Sequence, residues 1–213
     1  MMHILNFEAF LVAITILTLT PGLDTAVVIR NSSRSGQLDG CVTSLGICSG
    51  LFVHATFSAL GISAILLQSA TLFHWVKWIG AAYLIWLGLS GLYAIYKGNN
   101  TLAINEASQS RFSARRSLRE GFLSNVLNPK TAIFYLAFLP QFIDLNYSPV
   151  LQSLTMAAIH FLIAMIWQCG LAFAVNSAKN LFKNSAMISW MEGVTGMVLI
   201  VLGAKLLLSD NKI

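Results

Sequence analysis

The stretch Leu17–Gly36, "LTLTPGLDTAVVIRNSSRSG", decides how the chain is read. Its first residues continue a long apolar run. Pro21, Gly22 and Asp24 then fall within four positions. Proline inside a helix removes a backbone donor and clashes with the preceding turn. A carboxylate beside that break is costly in apolar surroundings unless something receives it. The pattern predicts a helix broken in order to build a polar site.

The apolar surroundings are lipid. The 213-residue chain is 56% hydrophobic and only 10% charged, against about 25% charged in a soluble domain. At roughly 20 residues per spanning helix, the chain has room for six spans in one all-α, polytopic membrane domain. Six apolar stretches stand out: about Ala9–Ile29, Cys41–Leu67, Val76–Tyr96, Gly121–Phe142, Leu151–Val175 and Gly193–Leu208. The first is interrupted at Pro21 and the fourth at Asn128-Pro129. The N-terminal run lacks a basic start and a small-residue cleavage site, so it reads as a retained first helix.

Only the third-to-fourth connection is long. It separates a first half, residues 1–97, from a second, 118–213, by a polar, basic loop over 98–117. Three spans per half require the second half to sit upside down, as in inverted-repeat transporters. A shift of 106 residues lays Asp24 on Lys130 and His54 on His160. The net charge is +5, and it sets orientation, with nucleic acid excluded as a partner. Arg30, Arg34, Lys97, Arg111, Arg115, Arg116, Arg119, Lys179 and Lys183 fall in three loops on one side. Lys77, Lys205 and Lys212 fall on the other. The positive-inside rule puts the first set in the cytoplasm and both termini outside.

Polar residues within the spans mark the candidate site. A charge near the bilayer centre costs about 2.5–3.5 kcal/mol on insertion scales, yet Asp24 and Lys130 each lie beside a proline break. Irregular backbone at membrane depth survives only where it is buried in protein or lines a cavity. Two breaks and two charges therefore point to one shared cavity, in which Asp24 and Lys130 attract each other at rest. Asn128 belongs to the same break. Gly46, Gly50, His54 and Ser58 form a stripe along the second span, with the glycines serving close packing. His160 and Gln168 share a face of the fifth span. Each histidine is either a satisfied core group or part of a transport path.

Together with "LGICSGLFVHATFSALGIS", "KWIGAAYLIWLGL" and "REGFLSNVLNPKTAIFYLAFLPQFID", the opening stretch resembles the LysE/RhtB family of amino-acid exporters over nearly the whole chain. The family's PGPD pattern falls on Pro21, Gly22, Leu23 and Asp24, with leucine in place of the second proline. Its NPK pattern falls on Asn128, Pro129 and Lys130. The resemblance implies a secondary exporter of amino acids or close derivatives in the inner membrane, driven by the proton gradient. On that view the partners are an amino acid, protons and membrane lipid, no cofactor is needed, and a homo-oligomer stays open. Asp24 is the best proton carrier, with His54 and His160 as alternatives.

Other functions fare worse. No GxxxxGK[ST] loop is present, so ATP is not the direct fuel, and the absence of HExxH removes an intramembrane metalloprotease. Export of metal or other small ions would want a ligand set that two histidines and three scattered cysteines do not supply. A membrane-embedded thiol-disulfide carrier would want paired cysteines, and Cys41 and Cys48 have no partner visible in sequence.

Overall fold

A computed structural model describes residues 4–68, 70–97, 111–177 and 185–208. All regular elements among them are helical. Eight α-helices follow in order: α1 Phe7–Leu19, α2 Leu23–Ser35, α3 Gln37–Gln68, α4 Ala70–Tyr96, α5 Ala114–Val126, α6 Pro129–Ile133, α7 Pro149–Ser177 and α8 Ser185–Leu208. Between α6 and α7 the chain continues as a π-helical turn, Phe134–Phe138, and a 3-10 turn, Leu139–Phe142. Pro140 lacks the N–H that a continuing α-helix would need there.

Both predicted breaks are present. α1 stops before Pro21, and α2 begins after an extended Gly22, with the two helices bent by 48°. α5 ends at Val126, and α6 restarts at Pro129 behind Asn128. Proline is well placed there, because the first residue of a helix has no use for its N–H. α2 runs on to Ser35, six residues past the expected end of the first span, and stops at Gly36, whose φ of 90° favours glycine. α5 starts at Ala114, inside the stretch expected to be loop up to residue 117. There Arg116 lies within 4 Å of both Asp39 and Glu120, which gives those residues a reason to be helical. The rest of the connection, residues 98–110, lies outside the described residues, as do Lys179, Lys183 and Lys212.

Among the described residues, three helical stretches are long and apolar enough to cross a membrane: Gln37–Gly61, Lys77–Tyr96 and Pro149–Val175. The bent α1–α2 pair makes a fourth if taken as one span, and Gly193–Leu208 is a shorter apolar helix. Large apolar side chains such as Trp86, Tyr93, Ile166 and Val201 face outward, as lipid-facing residues should.

α3 is the central post. It packs on α2, α5 and α7, while α4 and α8 pair beside it. Glycine makes the α3–α5 crossing close: a Cβ on Gly46 would stand 2.2 Å from the Leu118 carbonyl, and one on Gly121 would stand 2.0 Å from that of Thr43. The backbones therefore touch, which fixes α5 against α3 and aims the second break at the first. Below the breaks, Phe10, Ile14, Leu51, Phe134, Tyr135 and Met156 form a fully or nearly buried core. Phe134 stacks on Phe138 with centroids 5.1 Å apart, and Phe142 meets Phe10 edge-on at 5.6 Å.

Candidate functional site: two helix breaks facing one cavity

Each break docks its charged residue on the other. Asp24 is the second residue of α2, where the positive end of the helix favours a carboxylate. Its oxygens accept from Ser124 Oγ at 2.9 Å, Asn125 Nδ2 at 2.8 Å and Asn128 Nδ2 at 3.1 Å, all beside the second break. Lys130 reaches the opposite way. Its Nζ donates to the Thr20 carbonyl at 2.8 Å and the Leu17 carbonyl at 3.4 Å, at the negative end of α1. Pro21 has no N–H for Leu17, so the ammonium satisfies a carbonyl that the break itself frees.

The expected Asp24–Lys130 attraction therefore takes a different form. Among the described residues they make no direct ion pair; helix ends and amides hold each charge separately. Asn128 joins the two. Its Nδ2 donates to Asp24, and its Oδ1 accepts from the Lys130 backbone N–H at 3.0 Å. The start of α6 is thus capped from within.

Asp24 and Lys130 both line a small cavity of about 40 Å³, together with Thr18, Asn125, His160 and Gln168. At about 10–15 Å³ each, roughly three or four waters fill such a volume, whereas an amino acid does not fit. Gln168 Oε1 is buried there with no hydrogen-bond partner among the described residues, an acceptor left open in a polar pocket.

The two histidines part company. His160 is on the cavity, held by the Tyr135 hydroxyl at 3.0 Å and the Thr18 hydroxyl at 3.1 Å, with the Tyr135 ring stacked on it. His54 does not line it. Its Nε2 donates to the Asn125 carbonyl at 2.9 Å, a carbonyl whose helical partner four residues on would be Pro129. Ser58, one turn further, donates to the Tyr135 carbonyl at 2.6 Å.

Ser124, Asn125, Thr18 and Tyr135 were not singled out in the sequence. Their signal was available: Ser124 and Asn125 lie one helical turn before Asn128, in an otherwise apolar span. A second omission lies one turn further along α5. Glu120 meets Arg30 at 2.8 Å and Arg34 at 3.3 Å, and accepts from Asn31 at 2.9 Å. Arg34 also pairs with the fully buried Asp39 at 3.1 Å, and the Ser117 hydroxyl donates to Asp39 as well. This network ties α2, α3 and α5 together at the charged end. Sequence reading used its arginines for orientation only and passed over the two acids.

A family model of LysE type translocators matches residues 15–210. The chain belongs to the LysE type translocator family. An uncharacterized membrane protein of Bacillus subtilis, YrhP, is 34% identical over 201 residues, covering 92% of this chain and 96% of that one. The leucine efflux protein of an Enterobacter species is 27% identical over 205 residues, 95% of each chain. The homoserine/homoserine lactone efflux protein of Salmonella typhi is 26% identical over 198 residues, 93% of this chain and 94% of its own. No solved structure matches. Both breaks of this LysE type translocator lie within the matched region. It is a multi-pass membrane transporter and not an enzyme. Among the described residues no three His, Cys, Asp or Glu side chains converge to hold a metal ion. Cys169 does approach Cys41, thiol to thiol, a neighbour that sequence spacing did not reveal, and all three cysteines are free.

Proposed function

We propose that the protein is a secondary exporter of amino acids or close derivatives across the inner membrane, exchanging them for protons. The observation that carries this reading is the convergence of Asp24 and Lys130, from two broken helices, on one cavity. An amino acid's backbone has one ammonium and one carboxylate. Asp24 receives the ammonium, aided by the open Gln168 oxygen; Lys130 receives the carboxylate. The names of the leucine and homoserine relatives agree with such a substrate.

The cavity must widen to admit it, and the two breaks are where the chain can flex. The Arg30–Arg34–Asp39–Glu120 network closes one end of the path and opens in the transport cycle. In the proposed topology there are six spans, with both termini outside and residues 98–117 linking two inverted halves, 1–97 and 118–213. Each half runs broken helix, long helix, long helix, and the packing of α2 on α5, α3 on α7 and α4 on α8 supports a two-fold relation. Asp24 carries the proton, with His160 as its relay across the cavity; His54 acts on the break instead.

Efflux from inverted or right-side-out vesicles, loaded with a panel of labelled amino acids, tests this. Transport should be saturable, should need the pH gradient at fixed membrane potential, and should survive replacement of all three cysteines. Unchanged efflux after collapse of the pH gradient removes the proton. Loss of transport on removing the cysteines favours thiol chemistry instead.

A further inference from the structure

A second, larger cavity of about 230 Å³ lies against the same break. Gly22, Asn128 and Lys130 border both cavities, so these residues form the partition between them. The partition is thin: a Cβ on Gly22 would stand 3.3 Å from Lys130 Nζ. Beyond it the walls are apolar, with Leu23 and Ala26 of α2, Leu87 and Gly91 of α4, and Leu199 of α8. Thr195 of α8 is the polar exception, and its hydroxyl already donates to the Pro21 carbonyl at 3.1 Å. Among the described residues, no charged side chain apart from Lys130 lines it. The space is real at Gly91, where an added Cβ meets nothing within 4 Å.

We propose that this cavity is the side-chain pocket of the transport site and takes an uncharged, aliphatic side chain up to about leucine in size. The inference rests on the reading that Asp24 and Lys130 hold the substrate's charged groups. With the carboxylate at Lys130, the substrate's Cα lies at the partition, and its side chain has two ways to point. The polar cavity, about 40 Å³, is taken up by the charged groups. The larger one is free, and an apolar cavity of about 150 Å³ already holds a benzene-sized guest. A lysine or arginine side chain would bring its charge beside Lys130 with no carboxylate in the walls to receive it, so basic amino acids are excluded. Glycine and alanine enter but leave most of the cavity unfilled. They bind more weakly, since each methylene placed in an apolar pocket is worth about 10- to 200-fold in discrimination.

The test is competition by glycine, alanine, leucine and lysine for a labelled amino acid bound to purified protein, in wild type, Gly91→Leu and Ala26→Leu. The two substitutions fill the pocket from different helices, α2 and α4, and at Gly91 the new Cβ meets nothing within 4 Å. Wild type should favour leucine over alanine and ignore lysine. Each variant should weaken leucine about tenfold or more while alanine changes less than about twofold, which also shows that the variants are folded. Leucine and alanine falling together in both variants, as displacement of a lipid tail from the pocket would cause, overturns the proposal. So does leucine binding that neither variant alters. Wild-type protein that binds none of the amino acids takes down the Asp24–Lys130 reading as well.

Discussion

Replacing Asp24 by asparagine is expected to abolish export while leaving the protein inserted and folded. The structure says why the two effects separate. The new amide is isosteric with the carboxylate. Its oxygen can still accept from Asn125 and Asn128, and its NH2 can donate to Ser124, whose hydroxyl turns from donor to acceptor. The local hydrogen bonds survive, and only the negative charge is lost. Removing one partner of a buried charge contact costs about 2–5 kcal/mol, roughly 30- to several-thousand-fold in affinity. Efflux rate at matched protein level should fall by at least that lower bound, while the melting temperature in detergent moves little. Efflux above about a third of wild type would remove Asp24 from the substrate's path.

Lys130→Gln should be as damaging to export and should also destabilise. The ammonium is the donor for two carbonyls at the end of α1. A hydrogen bond to a charged group is worth about 1.5–3 kcal/mol, and the shorter, neutral amide does not replace both. The expected signature is loss of transport together with a clear drop in melting temperature, unlike the asparagine variant at Asp24. Arginine does not restore function, because Nζ already sits against Gly22 and a planar guanidinium needs more room. A glutamine variant that melts early yet exports at the wild-type rate would leave Lys130 a structural role alone. Exchanging the two charges cannot distinguish these roles. It would set a carboxylate against the Thr20 and Leu17 carbonyls and an ammonium among amide donors, so it fails whatever the substrate does.

The breaks and the charges were legible in the sequence because they violate strong local rules. Pro21 and Pro129 cannot continue a helix, and Asp24 and Lys130 do not belong in lipid without a reason. How the charges are held was not legible. Whether Asp24 meets Lys130 directly or meets Ser124 and Asn125 depends on how two segments about a hundred residues apart cross. Side-chain packing and the close α3–α5 contact at Gly46 and Gly121 set that crossing. The histidines show the same limit. A period of four put His54 and Ser58 on one face of α3, but only the fold shows that this face meets the Asn125 carbonyl at the second break, which the Asn128 N–H also reaches, while His160 meets the cavity. Asp39 and Glu120 escaped because the surrounding arginines read as an orientation signal, and the acids that neutralise Arg30 and Arg34 come from other helices.

The central claim is that one cavity reads both ends of a zwitterion, and analogue binding tests it most directly. Calorimetric titration of the purified protein should compare an aliphatic amino acid with its decarboxylated amine and its deaminated acid, which keep the same side chain. The account predicts that only the amino acid binds well, and that each one-charge analogue is weaker by about 2 kcal/mol or more, roughly 30-fold. Equal affinity for the amino acid and either analogue would contradict it, because one of the two charged contacts would then contribute nothing.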